Sequence, residues 1–321
     1  MRIIVLFLAL LFLMPVQVTQ AQLNSGVAAG SLLITLEPAY PQPNEAVTAT
    51  IDDYSLNASG ATIIWSIDGV EAANVTNQRS IGLTAPELGK SVKISARLVM
   101  PGTFPVEASK VITPYYFDVI IEPQTYVPVF YQGRALPVFG SQVNVSALLH
   151  DKNGMVPAGD YTYNWQFNGN SIYGGAKKGT NRAQITIPYG NASIVAVTVQ
   201  DKNGITVMRK LVSIPAKKVV LRFYEQNILY GLSKKSIGDT FRLVGNNTTI
   251  RAVPYNIDMR AGNRNLMTSW SIDGIKIPNQ NTDPFEINLG RNTAGQAVVG
   301  FQVRNLATLL QGDERTFRVS F

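Results

Sequence analysis

Three stretches of the sequence repeat one phrase that ends in glycine. Residues 63–69 read Ile-Ile-Trp-Ser-Ile-Asp-Gly, residues 163–169 read Tyr-Asn-Trp-Gln-Phe-Asn-Gly, and residues 268–274 read Thr-Ser-Trp-Ser-Ile-Asp-Gly. They contain all three tryptophans of the chain, at spacings of 100 and 105 residues. Each phrase alternates like a β-strand, and Asp-Gly or Asn-Gly then tolerates the positive φ of a tight hairpin turn. The spacing therefore predicts a domain-sized unit that occurs three times.

Other short alternating runs flank each phrase at matching distances. Runs of this length, separated by turn residues and without a helical period, are typical of a β-sandwich. We therefore predict an all-β chain in which Trp65, Trp165 and Trp270 each fill the space between two sheets. The preceding runs span 46–51, 143–148 and 249–253, and the following runs span 92–98, 194–199 and 297–303.

The opening strand of each unit carries a further repeated feature. An apolar run ends in glutamate, at Glu37, Glu122 and Glu225. A tyrosine follows within a few residues each time, and these are Tyr40, Tyr126 and Tyr230.

Two prolines mark the predicted domain boundaries. Pro114 and Pro215 each lie just past a last strand, and the next first strand begins within a few residues. The predicted domains are therefore 22–114, 115–215 and 216–321, and such short linkers favour an extended rod. Extra residues at 127–141 and 231–247 contain Gly, Pro and basic side chains, so we interpret them as exposed loops.

Residues 1–21 have the layout of a secretory signal peptide. Arg2 precedes an apolar run from Ile3 to Met14, and small residues around Ala21 suit a signal peptidase. A run of this length spans about 18 Å as a helix, less than the ~30 Å hydrocarbon core of a membrane. We expect cleavage near Gln22 and a mature chain that spans no membrane. It would be periplasmic, at the cell surface or extracellular; an uncleaved N-terminal anchor is the alternative.

The composition excludes several kinds of site. The chain has no cysteine and one histidine, His150, so disulfides, thiolate metal sites and cysteine nucleophiles are excluded. The phrases at 151–154 and 201–204 read Asp-Lys-Asn-Gly but lack the later oxygen ligands of a calcium loop, so we interpret them as hairpin turns. We predict no catalytic residue, cofactor or metal. A hydrolase with two distant carboxylates is the enzymatic alternative.

The tryptophan phrase and the turn Asp201-Lys202-Asn203-Gly204 carry a resemblance. The chain resembles tandem bacterial immunoglobulin-like and PKD-like modules of exported envelope or surface proteins. The resemblance implies three immunoglobulin-like β-sandwiches that act as spacer, adhesion or carbohydrate-contact modules. The sequence departs from this family pattern in two respects. No cysteine pair flanks the tryptophan, and in place of the Asp-Lys-Asn-Gly turn the first repeat has Met100-Pro101-Gly102 and the third has Arg304-Asn305.

Charge distinguishes the three predicted domains. Residues 22–114 carry five Lys and Arg against eight Asp and Glu, a net charge of −3; the corresponding values are +3 for 115–215 and +6 for 216–321. We predict a non-enzymatic cell-envelope adhesion or scaffold protein whose third domain docks to an anionic partner, either an envelope protein or a cell-wall polymer. Export and the lack of a reader module weigh against nucleic acid. The basic candidates are Lys217, Lys218, Lys234, Lys235, Arg260 and Arg264.

Aromatic residues of the second domain support an alternative function. Phe130 and Tyr131 lie in the extra segment 127–141, off the predicted sandwich core. Exposed rings there would make the chain a carbohydrate-binding module, because sugars stack on aromatic faces. Core and inter-domain packing is the other interpretation of the same aromatics.

Overall fold

A computed structural model gives the fold. It describes residues 32–53, 60–102, 104–190, 193–260, 262–278, 281–291, 295–308 and 310–321, so the predicted signal peptide lies outside the described residues. Nearly all regular structure is β-strand, with two short 3-10 turns at Ala158–Asp160 and Gly262–Asn265. In the part of the chain that is described, no helix has the length and apolar character needed to cross a membrane.

The described part of the first repeat has seven strands in two sheets. One sheet has the order β1-β2-β5 and the other has the order β4-β3-β6-β7. The tryptophan strand is β3, and its hairpin partner β4 follows the Asp-Gly turn. The strands are β1 (Leu32–Glu37), β2 (Ala46–Asp53), β3 (Thr62–Ile67), β4 (Val70–Glu71), β5 (Ser80–Thr84), β6 (Val92–Val99) and β7 (Val106–Ile112).

The second repeat follows the same plan. In one sheet the central strand β9 pairs with β8, β10 and β14. The other sheet has the order β12-β11-β15-β16, and β13 also pairs with β11. The strands are β8 (Tyr116–Pro123), β9 (Gln142–Asp151), β10 (Gly154–Met155), β11 (Thr162–Phe167), β12 (Asn170–Ser171), β13 (Lys177–Lys178), β14 (Arg182–Thr186), β15 (Ser193–Gln200) and β16 (Thr206–Ile214).

The third repeat has sheets of order β18-β17-β20-β23 and β19-β25-β24-β21-β22, with β19 parallel to β25. The predicted all-β fold of tandem immunoglobulin-like sandwiches is confirmed. The strands are β17 (Val220–Asn227), β18 (Gly231–Leu232), β19 (Thr240–Arg242), β20 (Asn247–Tyr255), β21 (Leu266–Ile272), β22 (Ile275–Ile277), β23 (Glu286–Gly290), β24 (Gln296–Asn305) and β25 (Gly312–Ser320).

The three tryptophans occupy equivalent interior positions. Trp65, Trp165 and Trp270 are all almost fully buried. Each indole Nε1–H donates to a backbone carbonyl 13 to 15 residues further on, at distances of 2.8, 2.8 and 3.1 Å. A buried indole needs such an acceptor, so the same ring is both packed and oriented in every repeat.

The turn after each tryptophan explains why Asp or Asn is found there. Asp68, Asn168 and Asp273 have φ near +49°, and the glycine that follows each also has positive φ. Each Oδ1 accepts a hydrogen bond of 2.8 Å from a backbone N–H of the next long strand, at Lys93, Ile194 and Val298. The side chain therefore ties the hairpin to the neighbouring strand, while glycine meets the backbone requirement of the turn.

The chain divides into two compact units. Of the described residues, one unit takes in those of 32–35, Ala49–Ile81 and Lys93–Lys110, and the other takes in those of Leu36–Thr48, Gly82–Val92 and Val111–Phe321. The second and third repeats thus share one unit from Val111 onward. The domain boundaries derived from the sequence stay a prediction.

The interpretation of the two extra segments as exposed loops is wrong for several of their residues. In 127–141, Pro137 and Val138 are buried, and Val138 belongs to the core of the third repeat with 2% of its surface exposed. In 231–247, Ile237 and Leu243 enter the same core. The physical reason is that these apolar side chains fill the interior of the third repeat, where they lie in one cluster with Phe223 and Trp270.

Candidate functional site

The segment after β8 crosses from the second repeat to the third. The Tyr126 N–H donates to the Ile257 carbonyl at 2.8 Å, and the Asn256 N–H donates back to the Tyr126 carbonyl at 2.7 Å. Further along, the Leu136 N–H donates to Oδ1 of Asn256 at 2.9 Å. These bonds fix both ends of residues 127–136 against the third repeat, because each satisfies a backbone or buried amide group.

A groove of about 970 Å³ lies between this segment and the sheet of β17 and β20. One wall consists of Phe130, Tyr131 and Leu136, and the facing wall includes Arg222 and Tyr255. The volume is at the upper end of that of ligand sites in proteins, which range over about 300–1,000 Å³.

Four aromatic rings line the groove and contact one another in pairs. The Phe130 ring meets Tyr224 edge-on with centroids 5.4 Å apart, and the Tyr131 ring meets Tyr255 edge-on at 5.2 Å. Tyr224 and Tyr255 are buried and share a hydroxyl–hydroxyl hydrogen bond of 2.6 Å. Edge-on contacts of this kind hold rings in one orientation, so the aromatic surface is fixed before any ligand arrives.

Tyr131 offers most of the accessible ring surface. Its side chain is 41% exposed, whereas Phe130 is half-buried. A Cβ at position 133 would clash with the Tyr131 ring, so glycine there lets the ring lie against the backbone. Tyr131 is thus both exposed and held in place.

Two cationic side chains line the same groove. Arg222 projects from β17 between the buried Leu221 and Phe223, and Lys234 follows β18. Neither forms an ion pair with a described residue, and no acidic side chain is among the described residues that line the groove. Burial and the hydrogen bond with Tyr224 raise the pKa of Tyr255 well above its usual value, so this phenol stays neutral. The groove therefore presents positive charge beside aromatic surface.

The structure brings together only some of the residues singled out from the sequence. Phe130, Tyr131 and Lys234 line the groove. Lys217, Lys218, Lys235 and Arg264 are exposed but do not line it, and the Lys217 N–H donates to the Pro137 carbonyl at 2.7 Å.

Arg260 is committed to a local ion pair. Its Nε lies 2.9 and 3.0 Å from the two carboxylate oxygens of Asp258. Burial raises the pKa of the Asp258 carboxyl, but the hydrogen bonds and charge of Arg260 outweigh this effect and hold it below its usual value. Arg260 therefore contributes less free positive charge than its sequence position suggested.

The sequence analysis missed Arg222, Tyr224 and Tyr255. A signal for them exists in the strand pattern. Leu221 and Phe223 point to the core, so Arg222 and Tyr224 must point to the opposite face. An aromatic on that outward face, together with Val253 and Tyr255 on the paired strand, indicates a face that something covers.

The two Asp-Lys-Asn-Gly phrases form turns, as predicted. Oδ1 of Asp151 accepts from the Asn153 N–H at 2.7 Å, and Oδ1 of Asp201 accepts from the Asn203 N–H at 2.8 Å. Among the described residues no group of three or more acidic or histidine side chains is arranged to hold a metal ion.

Comparisons with known proteins give likenesses to solved structures alone. No family model and no curated protein matches the sequence. The three N-terminal domains of the bacteriophage RB49 Highly Immunogenic Outer Capsid protein are 13% identical over 91% of this chain and 98% of that one, with a TM-score of 0.25. The central fibronectin-III array of RIM-binding protein is 14% identical over 90% and 97%, with a TM-score of 0.30.

A third solved structure contains a bound sugar. It is Bacteroides ovatus SGBP-B, from a mixed-linkage glucan utilization locus, in complex with a mixed-linkage heptasaccharide. It is 16% identical over 87% of this chain and 64% of that chain, with a TM-score of 0.22. Likenesses this distant carry no argument about function.

Proposed function

We propose that the protein is a non-enzymatic, exported cell-envelope adhesion or scaffold protein that binds an anionic polymer in the groove of its third repeat. The observation that carries this proposal is the pairing of Arg222 and Lys234 with a fixed aromatic surface in a groove whose described lining residues include no acidic side chain. Cationic side chains without an internal partner gain most from a ligand that supplies the missing anion.

The ligand that fits this groove best is an acidic glycan. Its carboxylates or phosphates would meet Arg222 and Lys234, while a sugar face would lie on Tyr131. The net charge of +6 over residues 216–321 would favour the approach of such a polymer from a distance. The anionic-partner hypothesis and the carbohydrate hypothesis thus converge on one place.

We expect the Arg222→Gln/Lys234→Gln variant to bind polygalacturonate at least about tenfold more weakly than the unaltered protein. Each charge-assisted hydrogen bond to a carboxylate contributes roughly 1.5–3 kcal/mol, and 1.4 kcal/mol is tenfold in affinity. Titration calorimetry at low and at high salt would measure this, and binding should weaken as salt rises.

A matched control separates the groove from diffuse charge. Lys276 and Arg304 are exposed residues of the third repeat that do not line the groove. Lys276→Gln/Arg304→Gln removes the same two charges and should retain most of the affinity. Equal weakening in both variants would mean that net charge, not the groove, holds the polymer.

An uncharged carbohydrate is the second candidate ligand, and the exposed, fixed ring of Tyr131 favours it. We expect Tyr131→Ala to weaken glycan binding about three- to tenfold, because an aromatic contact of this kind contributes about 0.5–1.5 kcal/mol. Tyr131→Phe should retain binding. A glycan array with neutral and acidic polymers would decide between the candidates.

The control for this substitution is Tyr189→Ala, at an exposed tyrosine outside the groove. If Tyr131→Ala weakens binding to neutral glycans and Arg222→Gln/Lys234→Gln leaves that binding intact, the uncharged ligand is favoured. If Tyr131→Ala and Tyr189→Ala bind every polymer as the unaltered protein does, the ring plays no part.

A further inference from the structure

The tyrosine that follows the first strand of each repeat has a consistent position in the first two. Tyr40 lies in segment Leu36–Thr48, which belongs to the same compact unit as the second repeat, and it packs against the core cluster of that repeat. Nearby, Nε2 of Gln42 donates to the Phe117 carbonyl at 3.4 Å. Tyr126 packs against the third repeat in the same way. Each tyrosine therefore contacts the repeat that follows its own.

The third tyrosine belongs to neither core cluster of its repeat among the residues that the structure describes. Tyr230 is 87% exposed, and its neighbours Ile228 and Leu229 are 101% and 83% exposed. All three lie in the tight turn between β17 and β18, where polar residues are usual. Adjacent large apolar side chains on a surface mark an interaction site.

The turn holds these side chains in a defined arrangement. Oδ1 of Asn227 accepts from the N–H groups of Leu229 at 2.8 Å and Tyr230 at 3.3 Å. Gly231 then takes a positive φ and pairs with Asn227, which closes the hairpin. We call Ile228, Leu229 and Tyr230 the apolar tip.

We propose that the apolar tip docks onto the first repeat of a second copy of this chain. In the first two repeats the segment after the first strand contacts the next repeat, and the apolar tip lies in the corresponding segment of the third, so an immunoglobulin-like domain is a surface that it fits. Charge also favours this occupant, because residues 22–114 carry −3 and residues 216–321 carry +6.

The receiving side in the first repeat has an exposed residue at the matching place. In the third repeat, the turn between β24 and β25 contacts the preceding repeat through Gln311, whose Nε2 donates to the Phe139 carbonyl at 3.0 Å. The corresponding turn of the first repeat, between β6 and β7, carries Phe104 with 93% of its surface exposed. Phe104 of one copy is therefore a partner for the apolar tip of another.

Such a contact joins two different surfaces, so it is heterologous and can add further copies beyond a dimer. None of the three residues of the apolar tip lines the groove, so Arg222→Gln/Lys234→Gln should leave the contact in place. The two proposals can consequently fail separately.

Sedimentation velocity of the mature chain over rising concentration tests the proposal. We expect the unaltered chain to associate beyond dimers. Leu229→Ser/Tyr230→Ser and Phe104→Ser should each remain monomeric alone, because each lacks one of the two surfaces. Their mixture should form one-to-one dimers and nothing larger. Leu211→Ser, at an exposed leucine of β16, is the matched control and should associate as the unaltered chain does.

Several results would overturn the proposal. One is an unaltered chain that stays monomeric at every concentration; another is association that survives Leu229→Ser/Tyr230→Ser. If Phe104→Ser alone still associates, the tips meet each other and the first repeat is not the partner. Binding of a monomeric chain to phosphatidylglycerol vesicles, lost in the tip variant, would identify a lipid surface instead. All substitutions are at exposed positions, and circular dichroism would verify that each variant is folded.

Discussion

Trp165→Ala is expected to lower the free energy of unfolding of the second repeat by about 3–5 kcal/mol. The indole is fully buried among residues of both sheets and donates to the Thr180 carbonyl at 2.8 Å. Its removal leaves a cavity and a partly buried carbonyl without this donor, and both effects destabilise the repeat. Such a loss is a large part of the 5–15 kcal/mol that typically stabilises a domain.

Hydrogen exchange measured by mass spectrometry would localise the effect. Protection should fall in β9, β11 and β15 and stay the same in β24 and β25. Ile205→Ala, at an exposed residue of the same repeat, should change the stability by no more than about 0.5 kcal/mol. Unaltered protection of β11 in Trp165→Ala would show that the tryptophan is not central to the core.

Val138→Asp is expected to destabilise the third repeat by about 3–5 kcal/mol, although position 138 lies in the predicted second domain. Val138 is 2% exposed and packs in one cluster with Leu221, Phe223 and Trp270. A carboxylate there would be buried without a partner, and such a charge costs far more than the loss of a methyl group.

The same substitution at another position of this segment is the control. Val129 is fully exposed, so Val129→Asp should change stability by no more than about 0.5 kcal/mol. Chemical denaturation with hydrogen exchange should show Val138→Asp weakening β20, β24 and β25 before β11 and β15. Equal weakening of β11 would place Val138 in the core of the second repeat and contradict the assignment.

The architecture was readable from the sequence because its determinants are local. A tryptophan in an alternating strand, followed by Asp-Gly or Asn-Gly, specifies a strand and its hairpin within seven residues. The three copies of that phrase then give the period. The choice of Asp or Asn also has a longer-range cause, since Oδ1 of Asp68 accepts a hydrogen bond from the N–H of Lys93, 25 residues further on, and its two counterparts bond in the same way.

The groove could be predicted only in part, because the residues of its two walls are about as far apart in the sequence as equivalent positions of two successive repeats. Phe130 and Tyr131 were found as aromatics outside the repeated pattern, but nothing local shows that they contact Tyr224 and Tyr255. Arg222 was missed because it stands alone, whereas charge in a sequence is noticed where it clusters. The broken alternation around Tyr224 was the available sign of a covered face.

The path of Val138 has a consequence for how this chain can be divided. A cut at Pro215 would separate the third repeat from a residue of its own core and from the carbonyl that accepts the Lys217 N–H. Tandem domains are often treated as separate units that evolution can exchange by recombination at the linkers. Here the smallest contiguous segment that keeps the core of the third repeat complete also contains the second repeat. Any recombination that preserves folding must therefore transfer the two repeats together.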